Sequence, residues 1–142
     1  MNDQKTTIKT TQILPKYSYG VGRRKTATAR AKVYEGENKL EILINKRSLK
    51  EYFQDYYAKV IIDALGNMGV SSGNVHFFIK GGGTMAQSEA ARLALVKALR
   101  VLNPEMGKVA RSFGYMTSDN RNVYPKKAGR RKSRKVEQWS KR

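Results

Sequence analysis

The sequence predicts a two-layer α/β domain (α+β in arrangement), a single mixed sheet with helices on one face, followed by an extended basic C-terminal tail. Three observations predict it. Apolar residues alternate with period two in three short stretches, and they recur at three- and four-residue steps in three others. These segments follow the order β-β-α-β-α-α within about ninety of the 142 residues, which implies one sheet covered by helices. Beyond Tyr115 the apolar period stops.

In residues 26–34, Ala27, Ala29, Ala31 and Val33 fall on one side and Thr28, Arg30, Lys32 and Tyr34 on the other, as in a half-buried strand. Glu35-Gly36-Glu37-Asn38 is a turn signal, and Leu40, Ile42 and Ile44 alternate after it, so the two stretches predict a β-hairpin. Ser48-Leu49-Lys50-Glu51 has capping-box spacing and opens an amphipathic stripe, Leu49, Tyr52, Phe53, Tyr56, Val60 and Ile61, that predicts one helix to Leu65. In residues 74–80, Val75, Phe77 and Ile79 point inward and His76, Phe78 and Lys80 outward. After Gly81-Gly82-Gly83, Thr84 and Gln87 open a helix through Leu93, Val96, Leu99 and Leu102. Asn103 then caps a shorter helix with Pro104 in its first turn, Met106, Val109, Ala110 and Phe113 facing the core, and Gly114 ending it.

Charge divides the chain differently. Residues 121–142 hold ten Lys or Arg against one acid, Glu137, a net of +9 and half of the chain's +18. Residues 1–30 hold seven basic groups and one acid, and residues 31–120 are nearly balanced, with twelve basic and nine acidic. A near-neutral body with cationic ends suits a dense polyanion as partner. The expected organisation is a disordered polar lead-in at 1–16, a folded domain at 17–116 and an extended tail at 117–142, with residues up to 22 too poor in apolar surface to fold alone. The lead-in has no apolar core of a secretory signal and matches a transit peptide poorly. No run approaches the ~18 apolar residues of a membrane span.

Three segments carry candidate chemistry. Gly20-Val21-Gly22-Arg23-Arg24-Lys25-Thr26 sets three cations beside glycines that permit close backbone approach, with hydroxyls at Ser18, Thr26 and Thr28 and stacking candidates at Tyr17 and Tyr19. It reads as a phosphate-contacting motif or as a solvated strand end. Lys126, Lys127, Arg130, Arg131, Lys132, Arg134 and Lys135 repel one another into an extended segment that can thread a crevice, and Trp139 is a base-stacking candidate. The same tail also reads as an anchor folded back on the domain or as a nuclear-targeting run. Lys80-Gly81-Gly82-Gly83-Thr84 is an anion site at a helix start or a flexible turn, and it lacks the Gly-Lys-Ser/Thr ending of a nucleotide loop.

Catalytic constellations are not found. With one histidine and no cysteine, the usual zinc sites and Cys/His or Ser/His nucleophile pairs lack their parts. His76, between Val75 and Phe77, reads as a sheet-face residue. The expectation is a non-enzyme without cofactor, metal or small-molecule substrate.

The stretch YGVGRRKTATARAKVYEG at 19–36, KLEILIN at 39–45, EYF at 51–53, VHFFIKGGG at 75–83 and the terminal QWSKR resemble, in order, the small ribosomal subunit protein 9 family of bacterial and plastid type. The resemblance runs over 17–142. It implies a left-handed βαβ crossover within the two-layer fold, shared with the fourth domain of elongation factor G and a class of small-molecule kinases. It implies a ribosomal localisation, in the head of the small subunit on the 3′ major domain of its rRNA, beside neighbouring head proteins and away from membranes. It further implies a tail that reaches the anticodon stem-loop of P-site tRNA. Carried onto this chain, the rRNA-facing residues are Gly22, Arg23, Arg24, Lys25 and Thr26, the block Lys80, Gly81, Gly82 and Gly83, and the seven tail cations named above. Ser140, Lys141 and Arg142 become the tRNA-proximal end.

The chain departs from the family pattern at Ala86, Glu89, Ala128, Glu137 and Trp139, and Glu89 would repel an approaching phosphate. The long lead-in fits a plastid or unusual lineage, so the expected compartment is plastid stroma or bacterial cytoplasm. Two other classes stay open on the residues alone. A free nucleic-acid chaperone would use the same charges without a fixed site, and a kinase would need an ATP loop and base that the chain does not show.

Overall fold

The computed structural model describes residues 16–141. Residues 1–15, most of the expected lead-in, and Arg142 lie outside the described residues. Five strands, β1 (Tyr17–Arg24), β2 (Ala27–Lys39), β3 (Glu41–Ile44), β4 (Arg47–Ser48) and β5 (Ser72–Lys80), form one sheet in the order β1-β2-β5-β3-β4. The β3–β5 pair is parallel and the others antiparallel, so the sheet is mixed. Helices α1 (Leu49–Tyr52) and α2 (Asp55–Asn67) connect β3 to β5, and α3 (Thr84–Leu102) and α4 (Pro104–Ser112) follow.

The inward alternation of residues 27–33 and 75–79 is as predicted. Ala27, Ala29, Ala31, Val33, Val75, Phe77 and Ile79 are buried beneath the helices with Ile44, Phe53, Ile61 and Leu95. The outward residues Thr28, Arg30, Lys32, Tyr34, His76, Phe78 and Lys80 all keep solvent exposure. Among the described residues, one face of the sheet therefore carries the core and the other is open.

The expected hairpin between residues 26–34 and 40–44 does not form. β5 lies between β2 and β3, and β2 pairs instead with β1 through a two-residue turn at Lys25-Thr26 in which Lys25 has φ 53°. The turn signal at Glu35–Asn38 is absorbed as an irregularity in β2, where the register with β5 shifts between Tyr34 and Lys39. Gly73 permits it: at φ 109°, an added Cβ would lie 2.8 Å from the Tyr34 carbonyl oxygen.

β1 is the element the apolar pattern misses, and residues 17–22 are not part of an unfolded arm. Its inward residues are Ser18, Gly20 and Gly22, all buried against α3. An added Cβ would stand 2.1 Å from the Ala94 oxygen at Gly20 and 2.0 Å from the Ala90 oxygen at Gly22. Ala90, Ala94 and Ala98, one turn apart on α3, are fully buried. Strand and helix thus meet almost backbone to backbone.

Helix details also differ. The helix expected from Leu49 to Leu65 is broken at Phe53 and Gln54, both in extended conformation; this turns the Phe53 ring into the core, where it is 2% exposed. Packing overrides the continuous stripe. Ser48 caps α1 as expected, accepting from the Glu51 amide. Gly83, not Thr84, occupies the cap of α3, and Gln87 instead donates to the Gly81 carbonyl and accepts from the Tyr52 hydroxyl. Asn103 and Pro104 start α4 as predicted, but its inward face is rotated. Gly107 and Ala110 are buried while Val109 and Phe113 are exposed, because α4 rides on the Arg100 stem at Gly107.

Candidate nucleic-acid interface

The cross-strand register brings two separate sequence motifs to one end of the sheet. Arg23 pairs with Thr28 and Thr28 with Lys80, so the cation of the first motif, a hydroxyl and the cation of the glycine block lie in a row on the open face. They line a cleft of about 690 Å³ with Thr26, Arg30, Phe78 and Gly81, and among the described residues no carboxylate lines it. Asn45 fixes this end: its side-chain amide donates to the Ile79 carbonyl and its oxygen accepts from the Ile79 amide, both at 3.0 Å. Asn45-Lys46, both at positive φ, make the tight turn that puts the amide there. Forked and point cations beside hydroxyls suit phosphate oxygens.

The glycines in these motifs serve the protein itself. Gly22 faces α3, as above. Gly81 and Gly82 are left-handed, and an added Cβ would fall 2.7 Å from the Thr26 oxygen or from the Ala27 Cβ. The glycine block is folded onto the first motif. Gly83 has open space around it and leaves the start of α3 without a side-chain cap.

The three adjacent cations are not equivalent. Arg23 and Lys25 are exposed, whereas the Arg24 side chain is 17% exposed and turned into the protein. Its Nε donates to Glu89 at 2.6 Å, and its Nη1 lies 2.6 Å from the Asp119 carboxylate, an ion contact off the hydrogen-bond line. Glu89 is therefore neutralised from within and does not stand as a bare anion on the helix. Asp119 also accepts from the Arg121 amide at 2.9 Å and from its guanidinium at 2.8 Å. These bonds from Arg121, with Arg24 adding charge, hold the Asp119 carboxyl well below the usual carboxylate range.

Upstream, Tyr115 accepts a 2.7 Å hydrogen bond from Asn67 and lies under the Arg92 guanidinium, 4.9 Å from the ring centre. The chain leaving α4 is thus tied to the body at Tyr115 and again at Asp119, which fixes where the tail departs. Asp119→Ala should release the second tie and raise amide exchange and protease cleavage across 117–125, leaving the body's melting transition nearly unchanged. The depressed carboxyl sets the pH window. Its contribution is full above the ordinary value of 3.8 and is lost only as pH falls through the lower folded value. Exchange in this segment should therefore be insensitive to the carboxyl between about pH 5 and 8.

Past this tie no helix or strand forms among the described residues. Arg130 and Val136 make an isolated bridge that closes a small loop, in which the Arg131 and Lys132 amides donate to the Lys135 carbonyl. Lys126, Lys127, Arg130, Arg131, Lys132, Arg134 and Lys135 are all exposed, and among the described residues none is in an ion pair. Trp139 is 82% exposed, so it does not anchor the tail to the body. Ser140 and Lys141 are exposed, and Arg142 lies outside the described residues.

Sequence reasoning missed the Arg24–Glu89–Asp119–Arg121 network and the participation of Arg30 and Phe78. Their outward placement was legible in the alternation of β2 and β5. The ion pairs of Arg24 with Glu89 and Asp119, far apart in sequence, had no local signal.

A family model described as Ribosomal protein S9/S16 matches residues 22–142. The chain is 45% identical over 124 residues to Small ribosomal subunit protein uS9 of Azobacteroides pseudotrichonymphae genomovar. CFP2, covering 86% of this chain and 95% of that one. It is 42% identical over 128 residues to the protein of the same name in Porphyromonas gingivalis strain ATCC 33277, covering 89% and 98%. With Small ribosomal subunit protein uS9m of Kluyveromyces marxianus it shares 39% over 132 residues, 88% of this chain and 43% of that one. None of these three is a plastid protein.

Proposed function

The chain belongs to the ribosomal protein S9/S16 family, a family of structural and non-enzymatic proteins, and from that premise we propose that it docks its folded body on small-subunit rRNA and sends its tail toward P-site tRNA. The observation that carries the reading is identity of 42–45% over nearly the full length of relatives named as small ribosomal subunit proteins. In this reading the body sits on the 3′ major domain in the head, beside other head proteins. The left-handed sense of the β3-to-β5 crossover belongs to the same reading. Arg23, Lys25, Thr26 and Lys80 contact rRNA phosphates from the sheet end, with Gly83 offering free helix amides. Arg24, Gly22, Gly81 and Gly82 hold that surface in shape.

The tail supplies the larger electrostatic contribution. Its exposed cations displace counterions from folded rRNA, and Ser140, Lys141 and Arg142 end at the anticodon stem-loop. Trp139 stacks on a base along the way.

The test is a sucrose gradient of reconstituted particles after a high-salt wash. The chain should remain with the small subunit; a chain released from both subunits, or distributed equally on DNA and RNA, contradicts the reading. Deleting Lys141 and Arg142 should then weaken P-site tRNA retention severalfold while leaving subunit assembly intact. Unchanged tRNA retention would remove the tRNA role.

A further inference from the structure

The open face of the sheet carries more than a row of phosphate contacts. Outward residues of β1, β2 and β5 place Tyr17 against Tyr34, with ring centres 5.6 Å apart, and Tyr34 against His76 at 5.1 Å. The Lys32 ammonium lies 4.6 Å from the Tyr17 ring centre and 5.7 Å from that of Phe78. Tyr19 and Phe78 stand beside this cluster 46% and 47% exposed. Exposed aromatic rings on a flat face have a hydration cost that a permanent partner relieves.

The charge on this face selects the partner. Along β1, β2 and β5, residues 17–34 and 72–80 contain no carboxylate, while Arg23, Arg30, Lys32 and Lys80 all project from the open side; the carboxylate of Glu41, on β3 level with Asn74, lies on that side at the end away from Arg23 and Lys80. A second copy of the same face would bring cations against cations. Paired RNA hides its base faces inside the helix, so it offers phosphates to Arg30 but nothing to stack on Phe78. Unpaired nucleotides offer π-faces and phosphates together at spacings a β-sheet matches.

We infer that the open sheet face binds an unpaired segment of RNA, with Tyr19, Tyr34 and Phe78 as stacking surfaces and Arg30 and Lys32 on the intervening phosphates. The inference rests on the ribosomal reading above and adds to it the class of RNA that the body takes. Stacking supplies affinity that does not depend on salt, distinct from the counterion release of the tail.

The test uses the full chain with its tail and a labelled single-stranded RNA of about twelve nucleotides, beside a blunt duplex of equal length. The Tyr19→Ala/Phe78→Ala double variant should bind the single strand at least about thirtyfold more weakly with an unchanged salt slope, and the duplex as before. Phe78→Trp should retain wild-type binding. A double variant that melts like wild type and keeps full single-strand affinity overturns the inference, as does equal loss toward strand and duplex. Gradient sedimentation of the same proteins separates the two readings. Wild-type protein that fails to join the small subunit defeats the ribosomal role, whereas incorporation with unaltered single-strand binding by the variant defeats only the stacking surface.

Discussion

Removal of residues 126–142 is expected to cost the chain about three orders of magnitude in affinity for folded RNA near 50 mM salt, and to flatten its salt dependence. That segment holds nine Lys or Arg against one Glu, and its described cations are exposed and unpaired with any carboxylate. If about eight of the nine neutralise phosphates, the full chain loses roughly 10³- to 10⁵-fold between 50 and 200 mM salt, while the truncated chain keeps only the shallow slope of Arg23, Lys25, Lys80 and their neighbours. Replacing the seven cations at 126–135 by Gln preserves length and should reproduce most of the loss. A filter-binding or fluorescence titration at four salt concentrations reads the slope directly. A truncated chain with the full slope would place the binding charge on the body instead.

The second large effect is on folding. Gly22→Ala puts a methyl group 2.0 Å from the Ala90 carbonyl oxygen, an impossible contact with a backbone atom. Relief requires moving α3, which fills the core with Leu93, Leu95, Val96 and Leu99, away from the sheet. The cost should be at least about 3 kcal/mol, a large part of the ~5–15 kcal/mol that holds such a domain together. The melting temperature should fall by about 15 °C or more, with Gly20→Ala close behind and the double variant unfolded at 37 °C. Gly83→Ala is the control. An added Cβ there meets nothing within 4 Å and the backbone has φ −94°, so the change should cost only the weaker capping of Ala, about 0.5–1 kcal/mol. Equal melting curves for the two single variants would mean that the strand–helix contact is looser than described.

These two predictions mark where the fold is legible in sequence and where it is not. Residues 27–33 and 75–79 announce themselves because one side of each strand is apolar and the other is not. β1 is silent because its inward side is Ser18, Gly20 and Gly22, and close packing of small residues leaves no hydrophobic alternation. The strand order is silent too. Alternation sets a strand's faces but not its neighbour, so the insertion of β5 between β2 and β3 has no local trace. Phe53 leaves its helix because the core accepts its ring, a gain that the regular three- and four-residue spacing conceals.

The candidate interface divides along the same line. The cations of 23–25, Lys80 and the tail are visible as composition. That Arg23 and Lys80 share one cleft follows from a register three strands wide, and that Arg24 is turned inward follows from Glu89 and Asp119, far along the chain. Adjacent arginines of identical chemistry thus take different placements, Arg23 exposed on the open side and Arg24 clasping the root of the tail.

The chain contains no cysteine, so Ser140→Cys creates a single attachment point at the end of the tail. A hydroxyl-radical source tethered there, in small subunits carrying P-site tRNA, reports every RNA strand within reach of the tail's end. Cleavage in the anticodon stem-loop of the tRNA and in the rRNA lining the P site is the predicted result. Cleavage confined to rRNA beside the protein's own body, or absent altogether, would contradict a tail that runs from the Asp119 clasp into the decoding side of the particle.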